Sequence, residues 1–176
     1  MLSSRKRLFV DLGLVIVLLI AVGIVGIVLI RGQRTQLPGV LYPSQGNFHI
    51  AEVDVAHPPY NSNPPTSGPH VGRIASWGSY DYELPDELLV HNMEDGGVIL
   101  WYRLSSDPEV NAGRARELKE ASRGYSRVVI VPRSNLDTTF AMTAWTRLDK
   151  FDEDDFSQTR IRDFLEAYEG IDHHVR

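Results

Sequence analysis

A chain of 176 residues is about one domain long, and its formal net charge of −5, six histidines and no cysteine narrow what it can do. Without cysteine there are no disulfides, no thiolate metal sites, no haem attachment through C-x-x-C-H and no cysteine nucleophile. An acidic chain also lacks the basic footprint that nucleic acid requires.

The first element is apolar. Leu12 to Ile30 reads LGLVIVLLIAVGIVGIVLI, nineteen residues without a charge. At about 1.5 Å per residue such a helix spans the hydrocarbon core of a bilayer. No A-x-A-like cleavage site follows it, so the run predicts an uncleaved signal anchor, a single transmembrane helix over 12–30. Arg5, Lys6 and Arg7 before the span outnumber Arg31 and Arg34 after it. That asymmetry predicts a cytoplasmic N-terminus over 1–11 and an extracytoplasmic body held at the cell membrane. Beyond residue 30 the net charge is −7, which disfavours a second contact with an anionic lipid surface.

Residues 31–46 are polar, with Pro38, Gly39 and Pro43, and read as a linker to a domain over 47–176. NFHIAEVDV, residues 47–55, predicts a first strand. Five of the ten prolines then fall in HPPYNSNPPTSGPH, a run over 57–70 with a histidine at each end. Long unpatterned segments inside compact domains tend to be functional or disordered. Tyr60, Trp77, Tyr80 and Tyr82 argue against disorder, because disordered segments are poor in aromatics.

The second half is regular. LVHNM and VILWY flank EDGG, a hairpin signal, although Pro85 to Met93 could instead begin as a short helix. Pro108 to Arg123 has good helix formers and stops at Gly124. Val128 to Val131 and Thr139 to Leu148 are rich in strand formers, and Asp155 to Tyr168 is an amphipathic helix closed by Gly170. The order strand, helix, strand, strand, helix predicts an α+β domain whose mixed sheet is covered on one face by two helices.

The chemistry on offer is imidazole and carboxylate. His57, His70 and His91 lie in or beside the irregular region, and Glu94 and Asp95 follow in HNMED. These donors suit a transition metal, and in a cysteine-free exported domain copper or zinc fits best. Proline fixes φ, so the loop can hold its two histidines in place and lose less entropy on closing around an ion. A plainer reading is that the prolines wall off a turn and the histidines bond to main-chain carbonyls. HNMED departs from the H-x-x-E-H peptidase pattern, and Gly96–Gly97 end any helix there. Ser67 lacks the G-x-S-x-G elbow of a nucleophile, so it reads as a turn residue. His173 and His174 read as a frayed terminus, and Trp145 as a core side chain.

NPPTSGPH, Tyr80, ELLVHNMEDGGVILWY and AMTAW together resemble the bacterial membrane-anchored proteins grouped as domain-of-unknown-function family 3105, over roughly His57 to Gly170. The resemblance implies a single anchor, an extracytoplasmic domain and a histidine-bearing signature. In that family the position of Asp95 is usually histidine, as in HNLEHGG, so one imidazole of the family pattern is replaced here by a carboxylate. The expected site is therefore His57, His70, His91 and Asp95, with Glu94 as a substitute ligand. The alternative is a metal-free accessory subunit that docks on a membrane protein complex; catalysis has no support in these residues.

Overall fold

The computed structural model describes residues 37–174 together with Ile20. The anchor read over 12–30 otherwise lies outside the described residues, among which no helix is long and apolar enough to cross a membrane. The body begins at Pro38. In chain order it comprises β1 (Val40–Leu41), β2 (His49–Ile50), β3 (His70–Val71), β4 (Gly78–Ser79), α1 (Asp86–Glu94) and β5 (Val98–Arg103). There follow α2 (Pro108–Ala121), β6 (Val128–Arg133), β7 (Phe140–Ala144), β8 (Arg147–Phe151), a 3-10 turn at Glu153–Asp155, and α3 (Gln158–Tyr168).

Six strands form one mixed sheet in the order β1-β8-β7-β5-β6-β4. β5 lies at its centre, parallel to β6 and antiparallel to β7. Its sequence VILWY shows no polar alternation because both faces of the sheet are covered. Val98, Leu100 and Tyr102 pack toward α2 and α3, while Ile99 and Trp101 pack toward α1.

The α+β class, the mixed sheet and the pair of helices on one face agree with the sequence reading. Asp107 caps α2 by accepting from the Glu109 amide at 2.9 Å, with Pro108 at the first position. α3 buries Ile161, Phe164, Leu165 and Tyr168 against the same sheet face.

Three expectations need correction. LVHNM is not the first arm of a hairpin; it lies in α1, which covers the opposite face of the sheet. α1 is short and is buried from Leu89 through Glu94, so no polar stripe marks its 3.6-residue period. The strand read over 47–55 shrinks to His49–Ile50, which pairs in parallel with His70–Val71. The single strand read over 139–148 is part of a hairpin, β7 and β8, turning at Trp145–Thr146. Thr146 adopts φ +63 there, a left-handed conformation that glycine normally marks.

The proline-rich run lies over the α1 side of the sheet, and Pro64 to Gly68 are buried. Tyr60 donates to the Pro69 carbonyl at 2.6 Å, and Arg133 donates to Asn63 Oδ1 at 2.7 Å. Ser67 Oγ accepts from the Gln45 amide at 3.0 Å, a long-range tie to the segment before β2. The turn of the β7–β8 hairpin is tied to the run through the Thr146 amide and the Thr66 carbonyl, 2.9 Å apart.

Candidate metal centre

Three chain segments converge at the C-terminal end of α1. The helix itself supplies His91 and Glu94, which are three residues apart and so share one face. The next residue, Asn92, points elsewhere and clamps the incoming loop. Its amide side chain donates to the Ala75 carbonyl and accepts from the Ala75 amide, both at 2.9 Å. Gly97 then allows close packing, because a Cβ there would meet Trp77 and the Asn92 carbonyl at 2.6 Å.

The second segment is the parallel pair of β2 and β3. Its register sets His49 directly beside His70, with ring centroids 4.7 Å apart. The third is the C-terminal tail, which runs back across the end of α1. Gly170 donates to the Gly96 carbonyl and His173 to the Glu94 carbonyl, each at 2.8 Å. That course delivers His174, whose ring centroid lies 5.8 Å from that of His91.

Glu94 Oε2 is the hub. His70 Nε2 is 2.8 Å from it, His49 Nε2 and His174 Nε2 are each 3.4 Å away, and His91 Nδ1 is 3.7 Å away. The Glu94 side chain is 0% exposed. Its other oxygen, Oε1, and His91 Nδ1 are buried without a hydrogen-bond partner among the described residues. Buried polar atoms in native proteins are nearly always satisfied by protein or ordered water, so these two atoms need a partner, which a bound ion or a water would supply.

The tautomer of His70 is informative. Its Nδ1 lies 2.7 Å from the Gly68 carbonyl, which can only accept, so the proton is on Nδ1. Its Nε2 meets the Glu94 carboxylate at 2.8 Å and donates there; a bound ion would take the place of that proton and receive the Nε2 lone pair. The Nδ1–H to carbonyl bond is the arrangement that orients a metal-ligating histidine.

The electrostatics run the same way. Burial pushes the Glu94 carboxyl up, but the Asn47 and His70 side chains and the nearby His174 outweigh it and hold the group below the ordinary carboxylate range. Burial lowers the pKa of His91, against the opposing pull of Asp95, and so favours the neutral ring that a metal requires. His173 is likewise lowered by burial, and its ring stacks on Trp145 at 5.8 Å. His174 is raised, chiefly by its bond to Asp172.

His49, His70, His91 and Glu94 each offer a ligand atom within 4.8 Å of the others, a grouping that could hold a metal ion. Tetrahedral ligation with metal–nitrogen bonds of 2.0 to 2.1 Å puts donors roughly 3.3 Å apart, within the reach of small side-chain rotations.

Of the residues singled out in the sequence, His70, His91 and Glu94 meet here. Asp95 lies on the far side of His91, with Oδ1 3.9 Å from Nε2. His57 is placed elsewhere: its Nε2 meets Glu87 at 3.1 Å and its Nδ1 the Pro58 carbonyl at 2.8 Å. Sequence reasoning missed His49 and His174. The first was hidden in a segment read as an ordinary strand, the second in a terminus read as frayed. Trp145, read as core, is half-buried beside His70 and His173.

No curated protein and no solved structure matches the chain. The family described as Protein of unknown function (DUF3105) matches residues 54–174, and with its histidine and glutamate cluster in view the chain belongs to that family.

Proposed function

We propose that this protein binds a transition metal ion, copper or zinc, through His70, His91, Glu94 and His49, in a domain held outside the cytoplasmic membrane by the apolar run at 12–30. One observation carries the reading. A fully buried carboxylate sits among four imidazoles, and its Oε1 and His91 Nδ1 have no hydrogen-bond partner among the described residues. Removing such a carboxylate from water is costly unless positive charge or hydrogen bonds compensate it. A divalent ion supplies that charge, and the hard oxygen with borderline nitrogens suits zinc or copper(II).

Elemental analysis of the full-length chain, purified in detergent, tests this. We expect bound copper or zinc in the native protein, and its loss in both Glu94→Gln and His70→Ala. Metal-free protein that stays metal-free on exposure to either ion would overturn the reading and favour the accessory-subunit alternative. Placement of the body rests on the cation asymmetry around residues 12–30. A reporter active only in the cytoplasm, fused after Arg176, is expected to be silent.

A further inference from the structure

We propose that a second divalent transition-metal ion binds beside the first, held by His91 Nε2, Asp95, His174 Nδ1 and Asp172, so that the centre is dinuclear. The proposal rests on the metal reading of the buried cluster and extends it outward.

The two rings that border both positions are arranged alike. His91 turns Nδ1 toward Glu94 Oε2 at 3.7 Å and Nε2 toward Asp95 Oδ1 at 3.9 Å. His174 turns Nε2 toward Glu94 Oε2 at 3.4 Å and Nδ1 toward Asp95 Oδ1 at 3.7 Å. Each imidazole thus spans two carboxylates, one at either end. Asp172 adds a third, with Oδ1 2.8 Å from His174 Nδ1. Donor atoms of His91, Asp95 and His174 all lie within 4.8 Å of one another.

Ring geometry turns this into a pair of sites. The lone pairs of the two imidazole nitrogens diverge, so an ion on His91 Nδ1 leaves Nε2 aimed at Asp95. With metal–nitrogen bonds near 2.0 to 2.1 Å, two ions bridged by one ring would stand roughly 6 Å apart. Bridging requires His91 to release its remaining N–H proton to solvent. Two divalent ions then balance three carboxylates and one imidazolate, and the centre is neutral. The nearby guanidinium of Arg127 donates to the Asp95 main-chain carbonyl and not to the carboxylate.

The two positions differ in access. Glu94 is fully buried, whereas the side chains of Asp95 and His174 are 32% and 41% exposed. Asp95 and Asp172 also line an open pocket of about 320 Å³ with Ile74, Trp77 and Arg127. The outer position is open to solvent, and the inner one is buried except on the side of His49, whose side chain is 48% exposed.

The test is metal stoichiometry of the full-length chain in detergent, loaded with copper(II) and desalted, for the native protein and Asp95→Asn. This substitution is at a partly exposed position outside the buried cluster. We expect two ions per chain in the native protein and one in the variant. In the native protein the bridged pair should show a weakened copper(II) paramagnetic resonance signal, and the variant should recover a full mononuclear signal. One ion in both proteins overturns the second site and leaves the first. Two ions in both overturns its placement at Asp95. No ion in either overturns the metal reading as well.

Discussion

The two faces of the sheet are built on opposite terms. The face under α2 and α3 is closed by apolar side chains, among them Phe140, Phe164, Met142 and Leu118, with none exposed by more than a trace. The face under α1 and the proline-rich run also has an apolar floor, of Ile99, Trp101, Val129 and Val131. Above that floor it buries Ser67, His70, His91, Asn92 and Glu94. Polar groups in such a place demand partners one by one, whereas apolar groups need only shape and volume. The difference teaches where specificity lies: the first face can be repacked within its volume, and the second depends on individual atoms.

The largest effect should come from the apolar face. Phe164→Ala removes a fully buried ring and is expected to cost about 3–5 kcal/mol in urea unfolding, equally with and without added metal. A loss under about 1 kcal/mol would mean that this face collapses around cavities, and the comparison would fail. Asn92→Ala comes next, on the polar face. It strands the amide and carbonyl of Ala75, both now bonded to one side chain, and should cost about 2–3 kcal/mol by the same measurement. A cost near zero would show that water replaces the clamp.

Trp101→Phe probes the floor between the two faces. It replaces the fully buried indole with a smaller phenyl ring, deletes the N–H that donates to Thr143 Oγ1 at 2.9 Å and leaves a void, and should cost about 2 kcal/mol. The smallest effect is at His57, and it has a pH signature. The bond to Glu87 raises the pKa of His57 above its ordinary 6.5. A raised folded-state value gives a contribution that is complete below pH 6.5 and lost as pH rises through the folded value. His57→Ala should therefore cost about 0.5–1 kcal/mol at pH 6 and progressively less above it. A cost that grew with pH would reverse the assignment of the pair.

Legibility in the sequence follows the same division. The elements of the apolar face were readable, because α2 carries a capping aspartate and proline and α3 shows an apolar stripe over Ile161, Phe164, Leu165 and Tyr168. α1 was obscured, since a short helix packed on one side by a sheet and on the other by a loop shows no polar stripe. The β7–β8 turn was hidden because Thr146 takes the left-handed conformation without a glycine to announce it. In the site, His70, His91 and Glu94 stood out through their spacing around the proline run and the Gly96–Gly97 stop. His49 depends on a two-residue parallel pairing, and His174 on a tail that folds back over α1. Both are long-range facts with no local trace.

That tail and that pairing have a kinetic consequence. The groups that would hold an ion are drawn from residue 49, residue 70, the end of α1 and residue 174, so the cage closes only after the most distant segments have met. Closures of such long loops carry the greatest entropic cost and form late in folding. An ion held there would act after the folding barrier is crossed: it would slow unfolding and leave the folding rate almost unchanged. In a chevron plot, adding a chelator should raise the unfolding arm and leave the folding arm in place. The metal would then set how long the domain survives once made, more than how fast it is made.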